Sequence, residues 1–387
     1  MDVSRYLNTK KLKFTVDFIT PAFLGGADGE AEIRPAPFKN LLRRWWRIVI
    51  TAKENLSPED LWEQESRLFG STEKDDNDEI FGKSKVMLTI DSIYKKPEVQ
   101  AAVGKDGKPV AVKAVNNTPY IPVETNILTK EKTLKKYLYL GYGPVQPKAA
   151  DCKDYIKPDT QVDFTLTIPA SEEETFINVL TLINLFGSIG SRSKKGFGSI
   201  GITAKLSDDS AEYKLKNLKK LQESLPNLVR TVNYKSDNRH YPYCIGQDEN
   251  GMSCWNMKTD RNFSFSSWEG VLDCFQDIYK YDLREFQSPN PVIKKIQNGR
   301  KILGSAETIP GCNDIERLPS QLIFKVARQG ESNSNYAGKI IHLPYNIDSK
   351  LTTQSEVWAK VYKKLDKKQN PDHKDKKLFG RLGGGKK

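Results

Sequence analysis

The stretch VDFTLTIPASEEETFINVLTLINLFGSIGSRSKKGFGSIGITAKL, residues 162–206, sets the fold of the region around it. VDFTLTI (162–168) alternates apolar and polar residues and reads as a strand. SEEETFINVLTLINLF (171–186) follows with helical spacing, Ser171 as its cap and carboxylates in its first turn. SIGITAKL (199–206) is a second strand. Between them lies GSIGSRSKKGFGSI (187–200), a loop with glycines at 187, 190, 196 and 198. Glycine gives up more conformational freedom on folding than any other residue, so a loop built this way needs an offsetting interaction.

The same order precedes this stretch. KLKFTVDFI (11–19) is a strand, TPAFLGGADGEAEIRPAP (20–37) a loop, FKNLLRRWWRIVITAK (38–53) a helix, and SPEDLWEQESRLFG (57–70) a second helix. Ser57 and Asp60 form a capping box, Pro58 suits the first turn, and Gly70 ends the helix. SKVMLTIDSI (84–93) is a strand. Residues 94–160 read as a long insertion with a strand expected at KKYLYLGYG (135–143). Strand–helix–strand, insertion, strand–helix–strand is a split βαβ, or ferredoxin-like, order. Farther on, a helix is expected over 210–230 and another over 268–286. Strands are expected at 318–326 and 339–345, and a last helix at 354–368. This is a second, more degenerate α+β unit, and the 387-residue length also argues for two domains.

Composition excludes several classes. No eighteen-residue apolar run marks a membrane helix, and the N-terminus has no apolar signal segment. Five widely spread cysteines suit a reducing, cytoplasmic setting better than a disulfide framework. The net charge of +12 favours a polyanionic partner. Residues 359–387 carry most of the excess, with eleven Lys and Arg against three Asp. That tail reads either as an RNA-contacting arm or as a solvated terminus.

Two cationic features stand elsewhere. In the helix over 38–53, Phe38, Leu41, Leu42, Trp45, Val49 and Ala52 share one face. Lys39, Arg43 and Arg47 form a stripe on the other side, with Trp46 beside it and Arg44 at its edge. The stripe is either a phosphate-binding surface or an ordinary solvated face. In the glycine loop, Arg192, Lys194 and Lys195 would have to supply positive charge, because a helix C-terminus carries the negative end of the dipole. Gly187, Gly190, Gly196 and Gly198 would let backbone approach a phosphodiester chain. Phe197 either stacks on a base or packs inward. The other reading of this loop is a solvated surface turn. Helix and loop could share one edge of the first domain.

Signals for chemistry are weaker. His240, Cys244 and Cys254 lack the paired spacing of a zinc site. Asp28, Glu30 and Glu32 in the first strand–helix loop could hold Mg²⁺ for RNA cleavage, or be solvated loop charges.

TPAFLGG (20–26), EIRPAPF (32–38), KNLLRRWWR (39–47), LFGST (68–72) and GSIGSRSKKGFG (187–198) occur in an order that resembles the RAMP superfamily of CRISPR systems. Within it, they are most similar to the first subunits of type III-B Cmr effectors. GRKILG (299–304) and ERLPSQLIFKV (316–326) are weaker counterparts in the second half. Asn40, Arg44 and Gln321 depart from the family pattern, which expects Gly, an aromatic and Pro there. The resemblance implies two ferredoxin-like (RRM-like) RAMP domains, over 1–206 with the insertion 94–160 and over 207–368, followed by a basic tail, 369–387. It implies a non-catalytic RNA-binding subunit of an antiviral ribonucleoprotein. Its partners would be guide RNA near the 3′ end, target RNA and other Cmr subunits, with no cofactor, metal or membrane. Arg34, Lys39, Arg43, Arg44, Arg47, Arg192, Lys194 and Lys195 would meet phosphates, and Trp46 or Phe197 would stack. Metal-dependent cleavage by Asp28 with Glu30 or Glu32 is the alternative.

Overall fold

Strand β1 (Thr9–Phe18) turns Leu12, Phe14, Val16 and Phe18 into the core, as period-two alternation requires. The computed structural model describes residues 8–26, 30–74, 80–95, 135–146, 151–206, 212–234, 239–257, 264–283, 320–329, 335–347 and 354–368, with a few single residues and pairs between. After β1 come α1 (Pro35–Lys53), α2 (Pro58–Phe69), β2 (Met87–Lys95), β3 (Thr160–Pro169), α3 (Glu173–Phe186) and β4 (Ile200–Ala204). The four strands form one sheet in the order β4-β1-β3-β2, each neighbour antiparallel. Phe14 pairs with Phe164 across β1 and β3, their rings stacked at 5.6 Å. α1 and α3 pack together, with Trp45 on Phe186 at 6.3 Å.

Local signals explain the helix ends. Arg34 is extended (φ −140°, ψ 157°) and Pro35 opens α1 three residues earlier than hydrophobic periodicity suggests. The Ser57–Asp60 capping box is present in α2. Ser171 does not cap α3. It sits in a 3₁₀ turn, Ala170–Glu172, that precedes the helix.

The insertion departs from expectation. Residues 135–143 do not form a strand, and Lys136–Gly141 is a 3₁₀ helix. Tertiary packing decides this, because Tyr137, Leu138 and Leu140 are buried and Tyr137 sits edge-on to Trp268 at 5.5 Å.

The second half contains β5 (Cys254–Asn256), α4 (Trp268–Asp277), β6 (Leu322–Arg328), β7 (Tyr336–His342) and α5 (Gln354–Lys368). Its three strands order as β5-β7-β6, all antiparallel. The helix expected over 210–230 shrinks to Leu218–Ser224, capped by Asn217, and Val229–Arg230 pairs with Ile245–Gly246 instead. The helix expected over 268–286 ends at Asp277 and continues as one π turn, Ile278–Asp282. Most of GRKILG, part of ERLPSQLIFKV and the tail 369–387 lie outside the described residues.

The two halves share their interior. Phe23 and Phe197 belong to the apolar cluster of the second half, while Ile323, Ile341 and Leu343 belong to that of the first. Arg328 Nε donates to Asp17 Oδ2 at 2.9 Å across the junction. The buried Lys325 ammonium donates to the carbonyls of Gly187 and Ile200. Burial holds its pKa well below the usual lysine value.

Candidate nucleic-acid interface

α1 is amphipathic, and its apolar face is the one expected from Phe38, Leu41, Leu42, Trp45, Val49 and Ala52. The buried arc is wider than the sequence suggests, however. Trp46 is 2% exposed and meets Phe69 edge-on at 5.7 Å, so it belongs to the core and offers no face to a base. The cause is α2, which packs on the side of α1 that the wheel leaves open.

α2 also captures two of the cations. Glu65 is 3% exposed, with Arg43 Nε 2.5 Å from its Oε1. Arg47 Nη2 donates to the same oxygen at 2.7 Å, and Arg47 Nε donates to Oε2. This bidentate pair strengthens the hold of Arg47 on its proton. Arg43 and Arg47 therefore brace the helix pair first. Lys39 is half-buried, and burial with the nearby Arg43 lowers its pKa. Arg34 Nη2 donates to Gly25 O at 3.2 Å, tying the start of α1 to the TPAFLGG loop. Arg44 is exposed, as is Lys53 in the last turn of the helix.

The glycine loop is fully engaged with protein. Gly187 ends α3, its N–H bonded to Ile183 O. Ile189 N donates to Gly198 O at 2.8 Å, Ser191 N to Phe23 O at 2.9 Å, and Thr20 Oγ1 to Gly196 O at 2.8 Å. Gly198 has φ +59°, and a Cβ there would fall 1.8 Å from Ile189 O. Gly190, at φ +89°, would place a Cβ 2.7 Å from Phe23 O. These glycines admit the TPAFLGG loop and the chain's own backbone, where an approach to phosphodiester was expected.

The loop's aromatic ring and both lysines, expected at an RNA surface, turn into the protein. Phe197 is 0% exposed, 5.3 Å from Phe23 and 6.4 Å from Tyr137, so it packs inward. Lys194 Nζ donates to Ser320 O. Lys195 Nζ lies 3.6 Å from the centre of the Tyr279 ring. Both lysines reach into the second half rather than outward. Burial and Arg44 push the Lys194 pKa down to about 7. Burial, Arg192 and Lys194 do the same to Lys195. Arg192 has φ +59°, and its guanidinium packs over Gly143, where an added Cβ would meet Nη2 at 3.1 Å.

Helix and loop nevertheless meet at one edge. Arg44 and Arg47 of α1 and Lys194 of the loop line a single cleft of about 40 Å³, whose remaining wall is Ser188 and an apolar set that includes Leu41, Trp45, Phe186 and Pro242. Three cationic side chains around one small opening suit a phosphate oxygen.

Asp28 lies outside the described residues, and Glu30 and Glu32 are exposed. His240 Nδ1 is 2.9 Å from Asn346 O, and Cys254 is buried with its thiol pushed up to about 11. Among the described residues no three His, Cys, Asp or Glu side chains group as metal ligands. The sequence reading missed Glu65, the acid that orients α1. Its signal is its place on the inner face of a well-capped helix, where an unpaired carboxylate would be costly.

Residues 15–201 match the RAMP superfamily. Similar solved structures include Cmr1 from Pyrococcus furiosus in its apo form, 18% identical, covering 87% of this chain and 88% of that one, with a TM-score of 0.44. Another is the type III-B Cmr-beta complex bound to cognate target RNA and AMPPnP, 15% identical, covering 92% and 98%, with a TM-score of 0.47. No curated protein matches the sequence. Among the described residues no helix is long and apolar enough to cross a membrane. The matched span runs from mid-β1 into β4 and contains the TPAFLGG loop, α1 and the glycine loop, and this first half of the chain belongs to the RAMP superfamily.

Proposed function

We propose that this chain is a non-catalytic RNA-binding subunit of a type III-B CRISPR effector, acting in antiviral defence in the cytoplasm. It would contact guide RNA near its 3′ end and the paired target, alongside other Cmr subunits. The observation that carries this reading is the cleft where Arg44, Arg47 and Lys194 converge inside the RAMP span. The sheet order β4-β1-β3-β2 with its two helical crossovers supports a ferredoxin-like first domain over 1–206. A degenerate second domain over 207–368 completes the subunit, with 369–387 as a basic tail.

Phosphate contact explains why the exposed members of the site are cations and its aromatics are core. Backbone contacts position a strand without reading its bases, so binding is expected to be sequence-tolerant and salt-sensitive. Arg44 is the contact freest of structural duty, Arg47 shares its charge with Glu65, and Lys194 gains a proton when an anion enters.

The test is RNA binding by the full chain across a salt series, with Arg44→Glu beside the parent protein. The variant should fold with the same melting temperature, bind RNA at least tenfold more weakly and show a shallower salt dependence. Equal affinity and slope would overturn the assignment. RNA cutting in Mg²⁺ or Mn²⁺ that vanishes in Asp28→Ala would overturn the non-catalytic part.

A further inference from the structure

Lys136–Gly141, expected as a strand, is a 3₁₀ helix, in which side chains three residues apart eclipse one another. One such row, Lys136, Tyr139 and Tyr142, is exposed, while Tyr137, Leu138 and Leu140 are buried. Tyr142 closes the helix, its N–H donating to Tyr139 O at 3.2 Å. Tyr139 is 59% exposed and Tyr142 60%, so both rings are open to solvent. The helix lies on the glycine loop. A Cβ at Gly141 would meet the Phe197 ring at 3.2 Å, and one at Gly143 would meet Arg192 Nη2 at 3.1 Å.

We propose that Tyr139 and Tyr142 form a base-stacking platform for single-stranded RNA, with Arg192 holding the phosphate beside it. This inference rests on the RNA-binding reading above and adds to it a site on the insertion 94–160.

Four observations carry it. The first is the spacing of the rings. A 3₁₀ helix rises about 2 Å per residue, so the two tyrosines are attached about 6 Å apart along it. That is wider than the repeat of about 3.4 Å between stacked bases, and it suits bases splayed from one another along a single strand. The second is a fixed backbone beneath the rings. Tyr137 N donates to Asp273 Oδ1 at 2.9 Å, Val145 N to Gly141 O at 3.0 Å, and Gln146 Nε2 to Gly143 O at 2.7 Å. Rings presented from anchored positions lose less freedom when a base stacks on them.

Third, Arg192 is held at φ +59°, a left-handed conformation that glycine or asparagine adopts at lower cost. The loop uses glycine at 187, 190, 196 and 198 but arginine here, which points to a use for the guanidinium itself. Fourth, Lys194, which lines the α1 cleft, is two residues from Arg192, a backbone span of at most about 7 Å. One strand therefore reaches both.

Charge also gives the row a direction. Lys136 is paired with Asp277, and Asp273 accepts from Tyr137 N, so the carboxylates of α4 stand at the Lys136 end. Arg192 stands at the Tyr142 end, where the phosphate is expected.

The experiment measures binding of a uridine oligomer to the full chain across a salt series. Tyr139→Leu with Tyr142→Leu should weaken binding at least tenfold with the salt slope unchanged, because ring faces are lost and charge is not. Tyr139→Phe with Tyr142→Phe keeps the rings and should bind as the parent does. Arg192→Asn tolerates the left-handed backbone and should reduce the slope by about 0.7, one single-strand phosphate contact. An oligomer of abasic ribose phosphates should bind the parent and the double leucine variant equally. Matched melting temperatures exclude misfolding. Unchanged uridine-oligomer affinity in the double leucine variant overturns the platform while leaving the α1 cleft standing. Equal losses in the phenylalanine and leucine variants also overturn it, by moving the contact from the rings to their hydroxyls. If the parent protein shows no salt-dependent RNA binding, the reading beneath it fails and this site with it. A double leucine variant that binds RNA as the parent does but no longer assembles with other Cmr subunits overturns the RNA assignment in favour of a protein interface.

Discussion

KNLLRRWWR in α1 and SRSKKGFG in the glycine loop contain the same ingredients, cations next to an aromatic ring, and use them in opposite directions. In both, the aromatic is buried, Trp46 against Phe69 and Phe197 against Phe23. In α1 the cations stay toward the surface, Arg43 and Arg47 braced by Glu65, Lys39 half-buried and Arg44 exposed. In the loop the lysines run into the junction, one to Ser320 O and one onto Tyr279. Composition sets which side chains are available. Their direction is set by what packs next to them.

The comparison breaks most sharply at Gly198. Gly198→Ala has to move the Ile189 carbonyl and occupy φ +59°, at a cost of at least about 3 kcal/mol. Gly25→Ala, with open space around it, should stay within about 0.5 kcal/mol. Urea unfolding of both variants checks this, and equal midpoints would show the loop to be as free as its composition suggests. Next in size is Phe197→Leu, expected to lose about 1.5 kcal/mol of stability with RNA affinity unchanged. A stable variant that releases RNA would return Phe197 to the stacking role.

Arg44→Ala should invert that pattern. Its stability should stay within about 0.5 kcal/mol while the salt slope of RNA binding falls by about 0.7. A pH effect is expected at Lys194. Its folded pKa of about 7 lies below the unfolded value near 10.5, so the unfolded chain binds the extra proton between them. Stability should therefore rise with pH over that window, and Lys194→Met should flatten the rise. RNA binding should run the other way, tightening from pH 8 to pH 6 as the phosphate favours the charged amine. A Lys194→Met protein with an unaltered pH profile would place the lysine outside the cleft.

Much of the first half was legible. Alternation in KLKFTVDFI and VDFTLTI, the capping box at Ser57 and the apolar run of α3 are local signals that the tertiary structure keeps. What could not be read depends on distant partners. Ser320 O lies 126 residues from Lys194, and no periodicity points to it. Trp46 is inside because α2 covers it, and Lys136–Gly141 is a 3₁₀ helix rather than a strand because α4 packs on it. In the HYPYC segment the tyrosine carries the contacts: Arg230 and Arg239, thirteen and four residues before it, stand 4.7 and 4.6 Å from the centre of its ring, a pairing that no local pattern announces.

Lys325 has a consequence for the order in which the molecule can be made. Its ammonium satisfies the Gly187 and Ile200 carbonyls from 125 residues beyond the latter. At roughly 5–20 residues per second, a ribosome leaves that part of the first half waiting about 6–25 s for its partner. During that interval the four strands are already synthesised, but the loop beside them has neither its lysine nor the β6 edge. A nascent chain halted before residue 325 should expose the 187–200 segment to protease, and one halted well beyond it should protect it.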